Sequence, residues 1–429
     1  MVCMRQHTKN WYKLDNAGKL YPSITSTRVS TVFRVSATLY EEVDPTLLQT
    51  ALNNIIERFP YYKVNLKRGL FWYYFEYTEN SPLVEKETFY PCMFMLYKRK
   101  KSFPFRVLYY DKKISVEISH SITDGTGVVI FLKSLLVEYF RLLDNDLSLD
   151  EKNGIFFPHE PIDQEEAEDA FHKYYQKNIP DPPKLNKAFH FPFKLNSKGE
   201  YHIITGIIPA KPLLAAAKEH HASLTQYLLA LYFDAIQEYI HIHKIKVRHP
   251  VVMNLPVNLR NLYPSKTMRN FFISITPQID FRLGTYSIHE MIDYIQSYMK
   301  IAVTPKNISQ YIHKNVKNEK SLFIRLTPLF IKNLLMPVLY NKYAERNYTS
   351  SISNLGLISM PKSIEHLIER FEFYPPPSRG NIIKVGVVSY KDKLYISFGS
   401  LTKNTEIEKI FFRKIRKMNI PVKIETNRE

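Results

Sequence analysis

His120 heads the run His120-Ser121-Ile122-Thr123-Asp124-Gly125. Imidazole is the side chain whose ordinary pKa lies near neutrality, so it can take a proton from a hydroxyl or amine and give it back. Asp124 can cap a following helix or fix the local geometry through a cation. Gly125 would let the chain turn sharply into the next element. The residues together suit general-base chemistry. Spacing alone leaves a second reading open, a core histidine beside a capping aspartate.

Other residue groups carry less. His220-His221 and His241/His243 lack cysteine or glutamate at zinc-ligand spacing, so they read as surface or core histidines and no metal is expected. No GxGxxG, GxxxxGK or GxSxG run occurs, so nothing marks a dinucleotide fold, a P-loop or a nucleophile elbow. The aromatic run Phe71-Trp72-Tyr73-Tyr74-Phe75 fits an alternating strand, with one face in a core, or the lining of a tunnel for an apolar substrate.

The elements that must position His120 follow from periodicity. Alternation predicts a strand over 31–39, and a helical pattern starts at Pro45 and stops before Pro60. Strands are predicted over 61–66 and 71–77, joined at Lys67-Arg68-Gly69. Hairpin strands over 105–110 and 114–118 lead into His120, and an amphipathic helix over 128–143 leads away. Residues 144–183 are acidic and proline-marked, as a connector would be. Strands are then predicted over 201–209, 250–256, 271–279, 351–358, 383–390 and 393–399, with helices over 224–240, 288–301 and 406–418. The simplest account is α/β in two related halves: residues 1–150, a connector over 151–185, and residues 186–429.

Length and composition agree. A chain of 429 residues is long for one core and suits two domains. The start is polar and broken by charges, unlike a secretory leader. The apolar stretch 322–340 carries Arg325, Pro328, Lys332 and Pro337. That pattern does not suit a membrane span, and it predicts a buried or groove-lining helix with breaks at the prolines. Two cysteines, Cys3 and Cys92, point to a reducing cytoplasm without a disulfide framework. The net charge of +18 attracts anionic partners in general. Its lysines are scattered apart from Lys98-Arg99-Lys100-Lys101 and the stretch Arg413–Lys417, so nucleic acid is not expected.

The run at His120 resembles the HxxxDG signature of the CoA-dependent acyltransferase superfamily, which includes condensation domains, BAHD-type enzymes and chloramphenicol acetyltransferase. Further runs resemble the bacterial alcohol-acetyltransferase-like branch: Trp11 to Ala17, Tyr21-Pro22, Arg58-Phe59-Pro60, Gly69 to Tyr74, Val257 to Arg260, Arg269-Asn270-Phe271 and Ser353-Asn354-Leu355-Gly356. The resemblance implies two chloramphenicol-acetyltransferase-like subdomains, each a mostly antiparallel or mixed sheet with packed helices, and an active site in the groove between them. It implies that His120 is the base, and that Asp124 is structural and paired with an arginine, here Arg260. Candidate oxyanion donors are the backbone near Gly125 and the side chains of Ser351, Ser353 and Asn354. Lys266, Arg269 and Arg379 could face CoA phosphates, although no cofactor-binding residue transfers by motif. Ser119 before His120 departs from the paired histidines of many condensation domains, and the plant-type DFGWG run is absent; the Pro375–Asn381 loop is its local counterpart.

The implied function is transfer of an acyl group, in the first instance acetyl, from acyl-CoA to an alcohol, by a monomeric cytoplasmic enzyme without metal. An amine is the other acceptor considered. A carrier-protein thioester donor, as in condensation-like enzymes, and a non-catalytic binding descendant are the alternatives.

Overall fold

The computed structural model describes residues 11–27, 29–95, 102–144 and 154–428. Cys3, the Lys98–Lys101 run and the first part of the connector lie outside the described residues.

In the first half the elements are β1 (Trp11–Lys13), α1 (Tyr21–Ile24), β2 (Val32–Leu39), α2 (Pro45–Ile56), β3 (Val64–Arg68), β4 (Tyr73–Tyr77), β5 (Val84–Lys86), β6 (Phe105–Tyr110), β7 (Lys113–Ser119) and α3 (Gly125–Leu143). Local chemistry sets the boundaries. Asp44 accepts from the Thr46 and Leu47 amides and Pro45 occupies the first turn, so α2 starts there. Its apolar residues Leu48, Leu52, Ile55 and Ile56 form one buried stripe against α3, which buries Val128, Phe131, Leu132, Leu135 and Leu136. Burying each such side chain stabilises by about 1.5–3 kcal/mol. Asp111, at φ +50°, closes the β6–β7 hairpin that ends one residue before His120.

The second half runs α4 (Ala170–Lys173), β8 (His202–Pro209), α5 (Ala210–Glu219), α6 (Leu224–Ile242), β9 (Val251–Asn258), β10 (Phe272–Ile275), β11 (Gln278–Ile279), α7 (Ile288–Ala302), α8 (Pro305–Lys320), α9 (Leu322–Leu326), α10 (Leu329–Tyr343), β12 (Ser350–Ile358), α11 (Lys362–Glu365), β13 (Ile368–Tyr374), β14 (Ile383–Tyr390), β15 (Lys393–Ser400), α12 (Glu406–Lys417) and β16 (Lys423–Thr426). Its sheet has the order β10-β9-β12-β14-β15-β8-β16, with β11 also on β9. β12 lies parallel to β9 and β14, and the other pairs are antiparallel. Helices α6 and α12 pack together over a core that includes Tyr232, Phe398 and Phe411.

The protein is therefore α/β in two parts, each a sheet with helices laid on it. The parts interlock. The first-half sheet has the order β13-β2-β7-β6-β5, so its edge strand comes from residues 368–374. A division at 150 and 186 does not anticipate that crossover, because a strand's partner is not written in its own residues. The connector is also not loose. Glu166 is buried, takes two 2.7 Å hydrogen bonds from the Arg58 guanidinium and one from Tyr61, and its carbonyl accepts from the Met268 amide.

One expectation is overturned. The stretch 322–340 does form helices broken at Pro328, while Pro337 sits inside α10. It is buried on one side only: Leu329 and Lys332 are buried, but Phe323 is 78% exposed and Phe330 and Leu334 are each 74% exposed. Among the described residues no helix is long and apolar enough to cross a membrane.

Candidate active site

His120 is the first residue beyond β7, and Asp124 caps α3 five residues after that strand ends. The loop between is fixed at almost every residue. His120 N donates to Thr31 O at 2.8 Å, and Asn270 Nδ2 donates to His120 O at 2.8 Å. Asn270 is itself held by the buried carboxylate of Asp15. Ser121 Oγ donates to Ser119 Oγ at 2.9 Å, and Thr123 Oγ1 donates to Met268 O at 2.6 Å. Tyr62 OH adds a 2.8 Å bond to Thr123 Oγ1.

The aspartate spends its acceptor capacity on structure. Oδ1 accepts from the Thr126 and Gly127 amides at 3.1 and 3.3 Å. Oδ2 accepts from the Phe271 amide and from Arg260 Nη1, both at 2.8 Å. The structure thus brings Asp124 and Arg260 together, both largely buried. Arg260 also donates to the carbonyls of Thr267 and Arg269, so one guanidinium closes the 258–270 loop against the start of α3.

The glycines act through space rather than through unusual backbone. Gly125 has no positive φ; the sharp-turn expectation gives way to a contact. A Cβ there would lie 2.5 Å from Leu355 Cδ2, so Gly125 lets α3 approach β12. Gly127 is tighter still: a Cβ would collide with Thr123 Oγ1 and lie 2.6 Å from Tyr62 OH and 2.8 Å from the Met268 carbonyl. Gly127→Ala is expected to destabilise the protein by about 1–3 kcal/mol through overpacking, as read from the urea midpoint; an unchanged midpoint would show that the loop can yield.

The His120 ring sits among aromatics. Phe33 lies 4.2 Å away, Tyr21 stacks at 5.3 Å and Phe272 lies at 5.7 Å, centroid to centroid. Nδ1 is 3.2 Å from Thr123 O. A carbonyl can only accept, so Nδ1 carries the hydrogen in the neutral ring and Nε2 is left as the acceptor. Burial is the largest influence on the imidazole and pulls its pKa down to about 4, only partly opposed by Asp124 and by hydrogen bonds. The ring is then neutral and ready to accept a proton at neutral pH, whereas an ordinary histidine would be partly charged. Titration of 15N-labelled histidine is expected to show one ring that stays neutral from pH 8 down through pH about 5.5. That signal should vanish in His120→Ala. A midpoint near 6.5 for this ring would mean water reaches it freely.

In the second-half sheet, β12 and β14 are parallel neighbours in register, Ser351 beside Lys384 and Ser353 beside Gly386. Ile352 and Val385 point into the second-half core, so by alternation Ser351, Ser353 and Lys384 share the opposite face. That face meets the first half, since a Cβ on Gly386 would strike the Phe373 carbonyl of β13. Asn354 behaves differently. Its Oδ1 accepts from the Gly356 amide and its Nδ2 donates to Thr225, within a bulge where Gly356 takes φ +78°. The carboxamide is occupied there. Lys384 escaped the sequence reading, although a lone lysine inside Ile382-Ile383-Lys384-Val385 was the available signal. Burial lowers its pKa to about 8, opposed by Glu345, and its charge contributes to the lowered pKa of His120.

The other basic candidates separate. Lys266 is exposed and pairs with Asp163 at 2.7 Å. Arg379 is exposed on the Pro375–Asn381 loop, which Ser378 and Gly380 tie to Glu345. Arg269 is buried, with its guanidinium 5.5 Å from the Tyr12 ring and 5.3 Å from the Phe75 ring. A cleft of about 830 Å³ lies beyond it, lined by Tyr12, Asp15, Asp169, His172 and Glu319 among others. Asp169, His172 and Glu319 could converge on a cation. Glu319 already accepts from Lys19, Asn16 and His172; against the desolvation of burial, these hold its pKa down at about 2.

No protein-family sequence profile matches this chain. No curated protein matches it by sequence either. Solved structures do match along nearly the whole length. A trichothecene 15-O-acetyltransferase from Fusarium sporotrichioides superposes with a TM-score of 0.58 at 10% identity, covering 95% of this chain and 94% of that one. An epimerization domain of tyrocidine synthetase B gives 0.56 at 13% identity, covering 95% of both chains. A starter condensation domain of rhizomide synthetase in complex with C8-CoA gives 0.56 at 12% identity, covering 95% and 94%. The chain has the two-subdomain fold of the acyltransferase and condensation-domain structures.

Proposed function

We propose that this protein is an acyltransferase that moves an acyl group, in the first instance acetyl, from a CoA thioester to an alcohol hydroxyl, with His120 as general base. The observation that carries the reading is the 3.2 Å approach of His120 Nδ1 to the Thr123 carbonyl, from which the tautomer follows. Nδ1 faces the Thr123 carbonyl, and Nε2 is the acceptor in an aromatic surround. The fold alone does not choose the reaction, since neighbours of the same shape include an epimerization domain.

The residues take the following parts. The acceptor hydroxyl gives its proton to His120 Nε2 as its oxygen attacks the thioester carbonyl. The new C–O bond places negative charge on the carbonyl oxygen. Ser353 and Ser351, on the face of β12 opposite the second-half core, are the assigned donors to that oxyanion, and Lys384 adds a positive field beside them. Collapse breaks the C–S bond, and the departing thiolate takes the proton from His120. Asp124 and Arg260 touch neither substrate; they hold the loop on which His120 stands. Asn354 is not assigned a donor role, because its amide already serves the bulge.

A carrier-protein thioester is the second donor considered, favoured by the likeness to a peptide-synthetase domain and by a +18 charge that would suit an acidic partner. The test is a screen of free thiol release from acetyl-CoA, longer acyl-CoAs and an acylated carrier, each with a panel of alcohols and amines. Turnover with acyl-CoA and an alcohol supports the first reading, and turnover with the carrier alone supports the second. No thiol release with any pair would overturn both.

A further inference from the structure

α9 and α10 are apolar on both sides, and only one side is covered. The inner side is anchored. Lys332 donates to Phe71 O at 2.8 Å and lies 3.4 Å over the Trp72 ring, Asn333 donates to Tyr73, and the Leu329 amide bonds to Leu70 O. The outer side is bare. Phe330, Leu334 and Val338, spaced by four, form one exposed ridge, and Leu335 and Leu339 form a second beside it. Leu322, Phe323 and Leu326 continue the surface onto α9, and Leu70 extends it at the β3–β4 turn. An exposed apolar surface of this extent marks an interaction site.

Charge identifies the occupant. From Lys320 to Arg346 every exposed charged residue is positive: Lys320, Arg325, Lys342 and Arg346. Glu345, the acidic residue of the segment, is buried. Bulky exposed apolar side chains in a segment whose exposed charges are all cations match the boundary between lipid tails and anionic headgroups. A second copy of this chain fits less well, because a two-fold contact through this face would bring cations of one copy toward cations of the other. We propose that the outer face of α9 and α10 is a docking surface for an anionic lipid bilayer. The protein lies on the bilayer by this face and does not cross it.

The docked face is close to the site. α10 packs on α1, and Tyr21 of α1 stacks on His120. The seat itself is independent of any acyl transfer, and its test needs no turnover.

The full chain is floated with vesicles of phosphatidylcholine alone and of phosphatidylcholine containing about 30% phosphatidylglycerol. It is expected to float with the anionic vesicles at least about tenfold more tightly than with neutral ones, and to lose that preference in high salt. Phe330→Ser with Leu334→Ser should weaken flotation at least about tenfold, at an unchanged melting temperature, because both side chains lie on the surface. Arg325→Gln with Lys342→Gln should weaken binding to the anionic vesicles and flatten its salt dependence. A wild-type chain that stays at the bottom with anionic vesicles overturns the proposal, as does a serine variant that floats like wild type. A wild-type dimer that the serine substitutions convert to monomer also overturns it, since a second copy would then be the occupant.

Discussion

His120→Ala is expected to lower acyl transfer by about a thousandfold, within the 10²–10⁴ that a positioned general base contributes. The melting temperature should move by no more than a few degrees. The two halves of that expectation have separate causes. Rate falls because Nε2, the acceptor that the Thr123 carbonyl leaves available, is gone. Stability is nearly kept because the loop is held by other atoms: the His120 backbone by Thr31 and Asn270, and the side chains of Ser121 and Thr123 by Ser119 and Met268. His120→Gln, which keeps polarity and bulk but cannot serve as a base near neutrality, should be as inactive as the alanine variant. If either variant retains wild-type turnover, the base is another residue.

Arg260→Ala should behave in the opposite way, with a loss of about 3–5 kcal/mol in stability, the cost of leaving a buried charge without its partner. The guanidinium serves Asp124 Oδ2, Asn258 Oδ1 and the carbonyls of Thr267 and Arg269, so its removal strands several acceptors at once. Asp124→Asn keeps a side-chain oxygen for the α3 cap and loses the ion pair, so it should cost less than Asp124→Ala. Asp124→Asn combined with Arg260→Leu should cost less than the sum of the two single changes, because the second change removes a group the first had already orphaned. Urea unfolding reads all five variants, Arg260→Leu alone among them. Single losses below about 1 kcal/mol, or strict additivity, would place the pair among weak surface ion pairs. Activity in these variants should fall only as far as the His120 loop loosens.

Much of this was legible in the residues. The strand into His120 and the helix out of it follow from alternation and from a capping aspartate, which act between near neighbours. The Asp124–Arg260 pair came from resemblance; nothing in the local pattern joins residues 124 and 260. What escaped depended on distant partners. Lys384 faces the first half only because β14 lies beside β12 with Val385 turned into the core. Asn354 looked like a free donor until a bulge fixed its amide. Arg269 was a candidate to face CoA phosphates, yet it is buried beside two rings. The stretch 322–340 showed how apolar it was, but hydropathy cannot say which face the protein itself covers.

The crossing of β13 into the first-half sheet also bears on how the chain is made. β2 is buried at all eight of its residues, and its outer neighbour is β13. Thr38 and its partner Arg370 are 332 residues apart. At about 5–20 residues per second, the ribosome delivers that partner on the order of half a minute after β2 emerges. Until then one flank of β2 offers unpaired backbone groups to any passing strand. The first-half sheet therefore cannot be completed until residues 368–374 have been made, and for that interval the flank of β2 is open to mispairing.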